Sequence, residues 1–126
     1  MKLIIYGEPR TKKNSQRVIP MRGKNGATYS RILPSKAYEQ YEADCVRQIT
    51  GDKRIGISYQ VNVKVIYYMA THRIIDLVNL LEATDDILVA AGVLEDDNIR
   101  IVAGHDFSRV LYDKENPRAE ITITKM

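Results

Sequence analysis

The chain has 126 residues, 44% of them hydrophobic and 28% charged, with a net charge of +3, which fits one folded domain and is too short for two ordinary ones. No apolar run approaches the ~20 residues of a membrane helix, and the apolar stretch at the start is too short for a signal peptide. Cys45, His72 and His105 are the whole supply of cysteine and histidine, so neither an intramolecular disulfide nor a structural zinc site is expected, and a reducing, cytoplasmic setting suits the chain.

Lys2 to Tyr6 predicts a short apolar strand. Residues 7–34 contain Gly7, Pro9, Pro20, Gly23, Gly26 and Pro34 without sustained periodicity, which predicts a long basic loop, with room for a hairpin. Ser35 suits an N-cap for a helix over 36–50, in which Tyr38, Tyr41, Cys45 and Ile49 recur at helical spacing and mark the core side. That spacing makes Cys45 a core residue rather than a reactive thiol. Residues 57–69 alternate, with Tyr59, Val61, Val63, Val65, Tyr67 and Met69 on one face and Gln60, Asn62 and Lys64 on the other, a half-buried strand. A second helix is expected over 76–91, ending at Gly92. The turn Leu94 to Asn98 follows, then a strand near 99–107 and a last strand near 118–125 with Ala119, Ile121 and Ile123 inward. The order predicts an α/β (α+β) domain: a mixed sheet of four to five strands packed by two helices on one side, with the long basic N-terminal loop.

Charge is segregated along this order. Residues 1–31 carry eight Lys and Arg against Glu8 alone, whereas residues 76–97 carry seven Asp and Glu with no Lys or Arg. A basic segment attracts polyanions and a carboxylate nest attracts cations, the layout expected of a metal-dependent nuclease. A solvated acidic helix beside an unrelated basic loop has the same composition. On a wheel advancing about 100° per residue, Leu80, Ile87 and Ala91 fall near Asp76 as a buried stripe. Asn79, Glu82 and Asp86 share a second, narrow face, and Asp85 points to solvent. Clustered like charges destabilise a helix by a few tenths of a kcal/mol per pair, a penalty that Mg²⁺ or Mn²⁺ removes by taking carboxylate oxygens as ligands. Asp96 and Asp97 follow the helix and would join that nest if the turn folds back. The alternative is that Asp76 caps the helix and Asp96, Asp97 and Asn98 simply make a turn.

The run Asp76-Leu77-Val78-Asn79-Leu80, a helical stretch, and then Ala91-Gly92-Val93-Leu94-Glu95-Asp96-Asp97 resembles the signature of the RusA family of Holliday junction resolvases. The segment Gly7 to Arg17 and the terminal strand Arg118 to Thr124 are similar to that family's opening and close. The resemblance spans most of the chain. It implies a homodimeric, Mg²⁺- or Mn²⁺-dependent endonuclease of phage or prophage type that cuts branched DNA such as four-way junctions in recombination and repair, with no membrane partner. Asp76 matches the family's first essential aspartate, Asp97 the last and Asn79 the motif asparagine. Two positions depart: Val78 replaces the second aspartate and Glu82 replaces a functional lysine. Glu82, with Asp86, would supply the lost carboxylate, and Lys12 or Lys13 the lost cation. The other reading is a degenerate enzyme that binds junctions without cutting them.

Under the first reading, Asp76, Asp97 and Glu82 are the catalytic and metal-binding residues, with Asp96 a further ligand and Asn79 and Asp86 in reserve. The ion would activate water for in-line attack on phosphorus and neutralise the developing charge. Lys12, Lys13, Asn14 and Arg17 would hold the DNA backbone, with Ser15 a further donor. His72 lies close enough to the acidic helix to shuttle a proton, although a lone histidine, like His105, is more often structural. A two-fold dimer would present two sites to a junction that needs two cuts. Tyr38, Tyr41, Tyr67 and Tyr68 are candidates for base stacking or a dimer interface as well as for the core. A protein-docking role for the acidic helix is the remaining rival.

Overall fold

A computed structural model describes residues 1–12 and 16–126, apart from the side chains of residues 16–19, 31, 32 and 34. Lys13, Asn14 and Ser15, and the side chain of Arg17, therefore lie outside the described residues. In chain order come β1 (Lys2–Tyr6), β2 (Gln16–Arg22), β3 (Thr28–Pro34), α1 (Lys36–Gln48), a short 3₁₀ turn (Gly51–Lys53), β4 (Val61–Met69), α2 (Leu77–Ala90), β5 (Val102–Gly104), β6 (Arg109–Tyr112) and β7 (Arg118–Lys125). The expected mixed α+β domain is the architecture found. The segment read as a long loop contains the β2–β3 hairpin, paired from Gln16–Pro34 to Arg22–Thr28.

The main sheet runs β1-β7-β4 with antiparallel pairing, and the far edge of β4 is shared by two short parallel strands. β5 pairs with Val61 and Asn62 at the start of β4, and β6 with Ile66 to Met69 at its end. The strand expected at 99–107 is thus reduced to three residues, and β6 was not foreseen. Between the two strands, β4 has backbone groups with no ladder partner, and buried groups of that kind must be paired some other way. Val65 N–H donates to Ser108 Oγ at 3.0 Å, and the Val63 carbonyl meets His105 Nδ1 at 2.9 Å. Asn62 and Asp106 close the same gap through the Asp106 N–H to Asn62 Oδ1 bond of 2.8 Å.

Both helices pack on one face of the sheet. Val61, Val63, Val65, Tyr67 and Met69 of β4 are buried with Ala119, Ile121 and Ile123 of β7 and with Leu80, Ile87 and Leu88 of α2. Full burial of such a side chain is worth about 1.5–3 kcal/mol. The strand expected from residue 57 starts at Val61; Tyr59 is exposed, and Ile57 makes only an isolated bridge to Leu94. Ser35 caps α1 as expected, its Oγ accepting from Tyr38 N–H at 3.1 Å. α2 ends as expected at Gly92, whose φ of +78° allows Gly92 N–H to reach Val89 O and Val93 N–H to reach Leu88 O, the paired bonds of a Schellman termination.

Three of the four singled-out tyrosines belong to the core. Tyr38 and Tyr67 are buried and Tyr41 packs against the cluster. Thr84 donates its one hydroxyl proton to Leu80 O at 2.9 Å, so the Tyr67 hydroxyl must donate to Thr84 Oγ1, 2.6 Å away. Tyr68 lies on the opposite face, in register with Arg118.

Candidate active site

The C-terminal half of α2 borders an open cleft of about 310 Å³ lined by Lys12, Glu42, Asp86, Val89, Ala90 and Asp97. α1 contributes Glu42, α2 contributes Asp86, and the segment after Gly92 brings Asp97 back beside them. Lys12 Nζ donates to Asp86 Oδ2 at 2.8 Å, both side chains being about one-third exposed. Its ammonium also lies 5.8 Å from the centre of the Tyr38 ring. The hydrogen bond to Asp86 holds the Lys12 pKa above its ordinary value against the opposing effect of burial, and the charges of Asp86, Glu42 and Glu82 add to it.

Asp97 shows the opposite kind of stress. Partial burial raises its carboxyl above the ordinary value, and Asp96, Asp86 and Asp85 push it further in the same direction. Like charges gathered around one carboxylate favour a proton or a metal cation there. Among the described residues, no group of three or more His, Cys, Asp or Glu is gathered tightly enough to hold an ion by protein ligands alone. The pair Asp86 and Asp97 nevertheless suits Mg²⁺, which keeps several waters and commonly takes one or two carboxylates together with substrate phosphate.

The residues expected to form one metal nest are spread from the N-cap of α2 to the segment beyond its end. Asp76 occupies the N-cap position, makes no capping bond, and accepts from Asn79 Nδ2 at 3.4 Å. It stands ten residues before Asp86, about 15 Å along a helix rising 1.5 Å per residue, and is not among the residues lining the cleft. Glu82 is exposed one turn before Asp86 and adds to the field at Lys12. Val78 is 71% exposed. Asp96 folds onto its own turn, accepting from Asp97 N–H at 2.7 Å and from Asn98 Nδ2 at 3.0 Å. Of the acids predicted for the site, Asp86 and Asp97 come together, and Lys12 joins them. His72 stacks on Tyr112, ring centres 3.8 Å apart.

Asp85 corrects the helical-wheel reading. It is buried, not turned to solvent: only 7% of the residue is exposed. α2 is covered over more of its circumference than the Asp76 stripe, because Thr84, Asp85 and Leu88 are buried beyond it. Asp85 Oδ2 lies 2.9 Å from His105 Nε2, and Oδ1 has no partner among the described residues. A carbonyl can only accept, so His105 Nδ1 must carry a proton toward Val63 O. Asp85 holds the His105 pKa above its ordinary value through that hydrogen bond, against burial. Burial likewise raises Asp85, and His105 opposes it. The direction for the pair is a shared proton retained to higher pH than on a free imidazole. The one available signal was the pair of adjacent acids, Asp85 and Asp86, which a helix must turn to different surroundings; nothing local tied Asp85 to a histidine twenty positions later.

Compared with models of known protein families and with curated proteins, the sequence has no match.

Proposed function

We propose that this chain is an Mg²⁺- or Mn²⁺-dependent endonuclease acting on branched DNA. The observation that carries this reading is the meeting of Asp86 and Asp97 in one open cleft beside Lys12. Two carboxylates in an exposed cleft suit a hard cation completed by water and a phosphate oxygen. An ion so held would supply a polarised water and neutralise charge on the phosphate. Lys12 would move from Asp86 to the incoming phosphate once a cation takes its place at the carboxylate, so the resting ion pair would offset the charge of Asp86 until metal and DNA arrive, leaving Glu42 and Asp97 to attract the cation. The order and spacing of the RusA-like motifs supply the choice of branched DNA, and the basic segment before α1 supplies backbone contacts.

A second reading has its own observation. Lys12 already balances Asp86 at 2.8 Å, and Val78 stands where the family has an aspartate, which is the arrangement of a junction-binding protein that no longer cuts. Incubation with a synthetic four-way junction, with Mg²⁺, with Mn²⁺ and with EDTA, separates the two. Paired cuts that need metal, and that Asp97→Asn and Asp86→Asn each abolish while junction binding persists, are the expected result. Tight binding with no cuts in either metal favours the non-catalytic reading, and cleavage indifferent to both substitutions would sink the assignment of this cleft.

A further inference from the structure

The sheet has a second face that neither helix covers. Along it, β4 presents Lys64, Ile66 and Tyr68, and the register sets Arg109 and Leu111 of β6 beside Ile66 and Tyr68. On the other side of β4, Arg118 of β7 stacks its guanidinium on the Tyr68 ring at 3.8 Å. Lys64, Ile66, Tyr68, Arg109 and Leu111 border, with Phe107, a shallow, open depression of about 290 Å³. Arg118 is matched by Asp113 and Glu120, each at 2.8 Å, but Lys64 and Arg109 have no ion pair among the described residues.

Phe107 is the least expected member. It is 75% exposed and holds φ at +70°, a left-handed conformation that a bulky residue rarely adopts and that costs energy to maintain. Packing does not account for the choice, since most of the ring faces solvent. An aromatic ring displayed beside uncompensated cations matches one chemical partner well. Unpaired bases stack on aromatic rings and on guanidinium planes, while Lys and Arg take the phosphates between them. A second copy of the chain matches less well, because stacking this face on itself would bring two Lys64 and two Arg109 cations into one interface.

We infer that this open sheet face is a binding site for single-stranded nucleic acid, with bases on Phe107 and on the Tyr68–Arg118 stack and phosphates on Lys64 and Arg109. The inference goes beyond the nuclease reading. The site lies on the other side of the sheet from α2 and the acidic cleft, and it needs no metal.

Fluorescence anisotropy of an end-labelled 15-nucleotide oligo-dT, in EDTA, tests it. Wild type should bind, and Phe107→Ala should weaken binding on the order of 5- to 100-fold. Lys64→Ala and Arg109→Ala should each lower the salt slope by about 0.7. The assay requires no cleavage, so a chain that cuts no junction yet shows these losses supports this site on its own. Should Phe107→Ala fail to fold, the two salt slopes carry the decision. Binding of all three variants within twofold of wild type overturns the inference. So does equal affinity for an abasic oligonucleotide of the same length. A dimer that Phe107→Ala converts to monomer in sedimentation, with oligo-dT binding unchanged, assigns the face to a second copy and overturns it too.

Discussion

A helix turns by about 100° between neighbours, so the consecutive acids Asp85 and Asp86 serve different surroundings. Asp86 faces the cleft and Lys12; Asp85 enters the interior and meets His105. Removing the imidazole leaves a buried carboxylate and the Val63 carbonyl without their partner, which costs about 1–3 kcal/mol. His105→Ala should therefore lower stability by that amount in urea denaturation. The pH dependence has a definite sign. His105 is raised on folding, so the stability from its pair is fully present below the ordinary imidazole value of ~6.5 and is lost as pH rises through the folded value. Asp85, raised by burial, acts in the same sense, because its ionised form is the costly one. Urea midpoints measured in EDTA should fall on going from about pH 6 to pH 9 in wild type and stay flatter in His105→Gln. Cys45 belongs to this scale as well: burial pushes its thiol up to about 11, so a thiol reagent at neutral pH should react with it only as fast as the protein opens.

Among the elements, α2 depends on its ending. Gly92 sits at φ +78°, and a methyl group there would meet only Arg54 Cβ, at 3.9 Å. The cost of Gly92→Ala is therefore conformational rather than steric, about 1–2 kcal/mol for an L-residue in the left-handed region. Equilibrium unfolding should show that loss, and Asp97, five residues beyond the turn, should lose cleft geometry with it. These helix ends were legible in advance, since the Ser35 cap and the Gly92 stop each depend on a residue's own backbone preferences and side-chain reach. β5 and β6 were not legible in the same way. Three or four residues carry too little periodicity to mark a strand, and their pairing is set by β4, some forty positions away.

At the scale of the molecule, the sheet divides stability from recognition. Ile121, on the inner face and fully buried, should cost about 2–5 kcal/mol as Ile121→Ala. Ile4, on the outer face and 41% exposed, should cost well under half of that as Ile4→Ala, and thermal melts of the two variants check the contrast. A result in which both cost the same would mean that something covers the outer face. The inner face was readable because a period of two in Val61, Val63, Val65 and Tyr67 directly reports one-sided burial. The same pattern, read in Ala119, Ile121 and Ile123, placed the last strand. Sequence alone therefore determined the fold class, the principal strands and helices, the core faces of α1, β4 and β7, and the concentration of acids on and just after α2, because all of these follow from local periodicity, caps and composition. Tertiary structure alone decided which of those acids meet. Asp86 and Asp97 share a cleft, Asp76 stands a helix length away, Asp85 turns inward to His105, and Phe107 and Arg109 join Lys64 on the open face. Each of these depends on how elements distant in the chain are packed, and charge and spacing along a sequence do not encode a distance across the fold.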